Sequence, residues 1–83
     1  MPYDRLRIAR KKAVGAKQTL RAVEKGSALV VFVASDADRR ITEEVIRECQ
    51  MKGIPTESVD SMLSLGRACG IQVGAAAVAI IEE

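Results

Sequence analysis

Leu29-Val30-Val31-Phe32-Val33-Ala34, running through Ser35-Asp36-Ala37-Asp38 into Arg39–Lys52, is the stretch on which the fold turns. Its first six residues are apolar on both faces and rich in β-branched side chains, the pattern of a central strand covered from two sides. Ser35–Asp38 supply turn and N-cap chemistry. Their short side-chain oxygens accept from the orphan N–H groups of a helix start, and the carboxylates oppose its positive end. From Arg39 to Lys52, Ile41, Val45 and Cys49 recur on one face with Ile46 beside them, a helical period that Gly53 ends. A buried strand leading straight into an amphipathic helix points to an α/β domain.

Downstream, Ile54–Val59 reads as a short strand, and Pro55 near its start places it at a sheet edge. Asp60-Ser61 cap a further helix, Met62–Ala68, which Gly70 stops. After a loop, Ile71-Gln72-Val73-Gly74, the run Ala75–Ile81 forms a last buried strand whose small residues let helices approach closely. Upstream, Leu6, Ala9 and Ala13 give helical spacing from Asp4 to Val14, and Gly15 breaks it. Ala16–Lys25 makes a second helix, with Ala16, Leu20 and Val23 inward and Gly26 at its end. The order α-α-β-α-β-α-β predicts a three-layer α/β/α sandwich with a small mixed sheet, one domain over residues 1–83.

Eighty-three residues leave room for one modest core, and 48% hydrophobic with 29% charged residues is an ordinary globular balance. The chain has no His and no Trp, with Tyr3 and Phe32 its only aromatics. The usual general base near neutral pH is therefore missing. Cys49 and Cys69, twenty residues apart, form no Cys-x-x-Cys pair. Cys49 falls on the apolar helix face, Cys69 lacks a helix start or His to activate it, and Asp36 and Asp38 serve as caps. No catalysis, metal or cofactor is expected. The longest apolar runs have about seven residues, far short of the ~20 a spanning helix needs, and none follows the first four residues as a signal peptide would. A soluble cytoplasmic protein is expected, with no membrane partner.

Charge is unevenly placed. Residues 1–25 carry +6 and residues 26–83 carry −4, for a net +2. Such asymmetry points to a polyanionic partner. The first helix has too few bulky apolar residues to lie on a membrane, so nucleic acid fits better. Two segments carry the chemistry. In Gly15–Gly26, Gln18, Arg21 and Lys25 share one helix face with Lys17 beside it. A helix start is a natural phosphate seat, Gln18 suits a base edge, and Lys17 and Arg21 suit guanine O6 or N7. If Arg5 and Lys12 meet only phosphates, losing either should weaken binding modestly and flatten its salt dependence. In Leu65–Ile80, Ile71 and Val73 either begin the last strand as core or project as an aliphatic pair that packs under an unstacked base. Gly66, Gly70 and Gly74 would let the backbone approach a ligand.

Taken in this order across nearly the whole chain, Gly15–Gly26, Ser35–Asp38 and Leu65–Ile81 resemble the kink-turn-binding ribosomal protein family, L7Ae-like, in its small bacterial ribosome-associated branch. The archaeal pattern Gly-x-Asn-Glu-x-x-Lys has Lys17, Gln18 and Arg21 at its last three named places here, and Lys-Gln is the bacterial form. The resemblance implies a monomeric α/β/α domain that stabilises a kink-turn, in ribosomal RNA or a riboswitch-like transcript, in association with the ribosome. It implies RNA contacts from Gly15, Lys17, Gln18, Arg21 and Lys25, and from Ile71, Gln72, Val73 and Gly74 over the bulged nucleotides. The competing expectation is a non-catalytic protein-interaction module of a ribonucleoprotein assembly.

Overall fold

Val30–Ala34 is buried at every position, as a strand apolar on both faces must be. Around it, the computed structural model describes residues 2–83, Pro2 by its backbone alone; Met1, the first residue of the expected domain, lies outside the described residues. The chain runs α1 (Pro2–Ile8), β1 (Lys11–Val14), α2 (Ala16–Glu24), β2 (Val30–Ala34), α3 (Arg39–Lys52), β3 (Thr56–Val59), α4 (Met62–Ala68) and β4 (Ala77–Glu82). The four strands form one sheet in the order β1-β4-β2-β3. β4 is antiparallel to both β1 and β2, whereas β2 and β3 are parallel, so the sheet is mixed.

Alternation along the two central strands builds both cores. On one face, Val30, Phe32, Ala34, Val78 and Ile80 meet Leu6 of α1 with Leu65 and Ala68 of α4. On the other, Val31, Val33, Ala77 and Ala79 meet Ala22 and Val23 of α2 with Val45 and Cys49 of α3. The result is the expected α/β/α sandwich, α1 and α4 on one side and α2 and α3 on the other. The second face is lined by smaller residues, which lets α2 and α3 sit close to the sheet. Truncating Phe32, fully buried between α1 and α4, would cost about 3–5 kcal/mol through lost transfer energy and a cavity.

One element differs from its expected form. The helix read from Asp4 to Val14 stops at Ile8, and Lys11–Val14 is a strand. Lys12, Ala13 and Val14 pair with Ile80, Ala79 and Val78 of β4. Without that strand, β4 would present a row of unpaired N–H and C=O groups along an otherwise buried strand, a cost that local helix propensity cannot offset. The other element boundaries fall close to expectation: α3 and α4 coincide with it, and β4 begins at Ala77 rather than Ala75.

The topology gathers the helix starts at one end of the sheet. Val14 ends β1 opposite Val78, near the start of β4. Ala34 ends β2 beside Val59, the end of β3, and its N–H donates to the Ala76 carbonyl at 2.9 Å. α2, α3 and α4 each follow one of these strand ends, so all three begin there. The Tyr3 hydroxyl donates to the Asp60 carboxylate and brings the start of α1 to the same end.

Candidate nucleic-acid interface

Three of the four helix starts at that end carry acidic or hydroxyl groups. Asp4 lies in the first turn of α1. The Asp38 carboxylate accepts from the Arg40 N–H and caps α3. In α4, the Ser61 hydroxyl accepts from the Ser64 N–H, and the Asp36 carboxylate accepts from the Met62 N–H at 2.8 Å. Asp36 therefore caps α4, not the helix that follows it in sequence. α2 is different. Gly15 precedes it with no side-chain cap, and no acid stands in its first turn. Its leading N–H groups and positive end face outward beside the exposed side chains of Lys17 and Gln18.

The start of α2 is held firmly. Gly15 has φ 103° and ψ 156°, a conformation open essentially to glycine alone. Its N–H donates to the Ala77 carbonyl and its carbonyl accepts from the Thr19 N–H, each at 2.9 Å. Thr19 is fully buried and its hydroxyl donates to the Ala13 carbonyl. The inward stripe of α2 is thus Thr19, Ala22 and Val23, with Leu20 only half-buried. Gln18, Arg21 and Lys25 are all exposed, on the shared face the helical period predicted. Lys25 caps the far end of α2, about 12 Å below Lys17 at a helical rise of 1.5 Å per residue.

The second segment lies at the same end because Ala77, bonded to Gly15, stands three residues after Gly74. Residues 71–76 form a loop, not the beginning of β4. Ile71 is half-buried, Gln72 is exposed, and Val73 is 68% exposed. Two close approaches pin this loop to α4. A Cβ added at Gly66 would lie 2.0 Å from the Val73 carbonyl oxygen, and one at Gly74 would lie 2.9 Å from Cβ of Met62. The Ile71 N–H donates to the Gly66 carbonyl, and the Ala75 N–H to the Met62 carbonyl. An exposed valine on a tightly fixed loop thus stands at the same end of the sheet as an uncapped, cationic helix start.

A model of the family described as "Ribosomal protein L7Ae/L30e/S12e/Gadd45 family" matches residues 3–83. The chain belongs to this family. An RNA-binding protein of Geobacillus sp. (strain WCH70) is 52% identical over 99% of this chain and 100% of its own length. RNA-binding protein YbxF of Geobacillus stearothermophilus is 49% identical over the same shares. Among solved structures, the Giardia lamblia 15.5kD RNA binding protein superposes with a TM-score of 0.81 at 33% identity. That match covers 87% of this chain but 61% of the Giardia chain. A Bacillus halodurans protein of unknown function gives a TM-score of 0.83 at 25% identity, over 96% and 80% of the two chains.

Other groups in this L7Ae-family chain are committed elsewhere. Arg5 forms a two-pronged pair with Glu83 at 2.9 and 3.0 Å and lies 3.7 Å from Glu57, so it braces α1 against β3 and the C-terminus. Lys12 donates to the Leu6 carbonyl. Both side chains thus have partners within the protein. Burial pushes the Cys49 thiol up. Burial also pushes up Cys69, with Lys12 partly opposing it. Both thiols are thereby held further from the nucleophilic thiolate form. No helix among the described residues is long and apolar enough to cross a membrane. Sequence reasoning missed Lys11, exposed on the β1 edge near Arg21 and Lys25; the short Lys-Lys-Ala-Val run before Gly15 was its only signal.

Proposed function

We propose that this protein is a cytoplasmic, non-catalytic, monomeric RNA-binding domain that recognises and stabilises kink-turns, in ribosomal RNA or a riboswitch-like transcript, in association with the ribosome. The observation that carries this reading is the convergence of two unlike surfaces. The α2 start offers N–H groups and the cations Lys17 and Arg21, while residues 71–74 offer an apolar cover. A kinked RNA needs both: charge where its phosphates crowd, and an apolar platform for bases forced out of the stack. The names of the similar Geobacillus and Giardia proteins support RNA as the partner.

In this reading Gln18 and Arg21 meet base edges in the opened groove, Lys17 and the Gly15 turn meet phosphate, and Ile71, Gln72, Val73 and Gly74 cover the bulged nucleotides. Lys25 extends the contact along α2. The RNA samples extended and kinked forms, and a protein that binds the kinked one more tightly shifts the population by that difference alone. No bond is made or broken. A gel shift tests it with a kink-turn duplex and the same duplex whose sheared G·A pairs are replaced by Watson–Crick pairs. Tighter binding to the kink-turn is expected. Equal affinity would leave only general polyanion binding and return the protein-interaction alternative.

A further inference from the structure

A groove of about 600 Å³ runs down the α2 side of the molecule, from Gln18 at the helix start to Lys25 and Ser27 at its far end. Its walls are α2, with Gln18, Arg21 and Lys25, and the edge strand β1, with Lys11; Ile81 of β4 forms part of its apolar lining. Four cationic residues line it from two elements, Lys11 and Lys12 of β1 with Arg21 and Lys25 of α2, and of these the Lys12 ammonium is turned to the Leu6 carbonyl. Among the described residues, Lys11, Arg21 and Lys25 make no salt bridge, and no carboxylate lines the groove. Glu82, the register partner of Lys11, has its carboxylate 3.8 Å from the Arg10 guanidinium. A cationic trough with an apolar wall and unpaired lysines is complementary to a phosphodiester backbone.

We propose that this groove is a track for the backbone of one stem flanking the kink, with Lys11 and Lys25 as its phosphate contacts. The assignment rests on the kink-turn reading for where the strand comes from, because the groove opens at Gln18 beside the proposed kink site. From Gln18 to Lys25 the helix rises about 10 Å, enough for the groove to follow the strand past the kink. Lys11 thereby gains a role its neighbour Lys12, turned to the Leu6 carbonyl, does not share.

The test uses the full protein, a kinked RNA with two long stems, and two shorter versions with one or the other stem trimmed to its first few pairs. Lys11→Ala should lower the slope of log affinity against log salt by about 1 on the long RNA. The same change should have no effect once the contacting stem is trimmed, and should keep its effect when the other stem is trimmed. Lys52→Ala, which removes an equal charge at the far end of α3, should leave every slope unchanged. Lys25→Gln repeats the measurement from the α2 wall should Lys11→Ala lower the melting temperature. An unchanged slope for both groove variants, an equal effect on all three RNAs, or an equal effect of Lys52→Ala would each overturn the track. If the wild type bound kinked and Watson–Crick duplexes alike, the kink-turn reading would fail by itself. The groove would still stand or fall by the Lys11→Ala slope on a long duplex against a trimmed one.

Discussion

Arg21 is exposed on a helix whose opposite face is packed against the sheet, so its side chain is free to serve recognition without serving the fold. Arg21→Ala is expected to cost about 1–3 kcal/mol in binding to kink-turn RNA, the loss of one good base contact, with an unchanged melting temperature. Isothermal titration beside a thermal melt checks both halves. Val73, 68% exposed, makes the same separation from the second segment. Val73→Asp should abolish RNA binding while leaving the circular dichroism spectrum intact, since no core contact is lost and a carboxylate would face phosphate. Cys49 and Cys69 are predicted to react slowly with iodoacetamide at neutral pH in the folded protein and quickly after denaturation, because burial raises both thiols. Fast, selective labelling of Cys69 would reopen a nucleophilic role.

At the scale of elements, the loop over residues 71–76 takes its shape from α4. Gly66→Ala would push a methyl group into the Val73 carbonyl, so either the helix or the loop must move. A loss of about 1–3 kcal/mol in stability is expected from such overpacking, and RNA affinity should fall because Val73 shifts with its carbonyl. A variant of full stability and affinity would mean that the loop is not held by this contact. Much of this was legible in the sequence. The β-branched run of β2, the Ile41-Val45-Cys49 stripe of α3 and the Ser61 cap of α4 each carry local physics strong enough to show, although Ile41 ends 38% exposed. β1 was hidden because four residues, two of them lysines, give too short an alternation to compete with the helical spacing of Leu6, Ala9 and Ala13. What makes Lys11–Val14 a strand is a neighbour nearly seventy residues away, and no local pattern encodes that. The partner of Asp36 was hidden for the same reason: it caps a helix across the sheet end. Gln18, Arg21 and Lys25 were visible because helix period alone sets a shared face. The loop at Ile71-Gln72-Val73-Gly74 was legible from its glycines, but that it is pinned against Gly66 only the packing reveals.

For the molecule as a whole, the charge asymmetry of the sequence is partly cancelled by folding. Arg5, Arg7 and Arg10 turn to Glu83, Asp4 and Glu82, so among the described residues the cations of residues 1–25 left without a carboxylate partner lie on β1 and α2. These ties also set the acid response. The Tyr3 hydroxyl donating to Asp60 lowers that carboxyl's pKa, and Arg5 lowers that of Glu83. A depressed folded pKa stabilises the native state above the ordinary carboxylate range and is lost as pH falls through it. The melting temperature should therefore drop on acidification below that range, and Asp60→Asn or Glu83→Gln should flatten the drop. Both groups are fully exposed, so each effect is small. In the proposed function the α2 start and the loop before β4 hold one RNA together. Amide chemical-shift mapping of the protein titrated with a kink-turn duplex tests it most directly. Lys17, Gln18 and Arg21 should shift together with Ile71, Gln72 and Val73, along one saturation curve, while Glu43, Glu44 and Arg47 on the exposed face of α3 stay in place. Shifts confined to one of the two segments, or centred on α3, would contradict it.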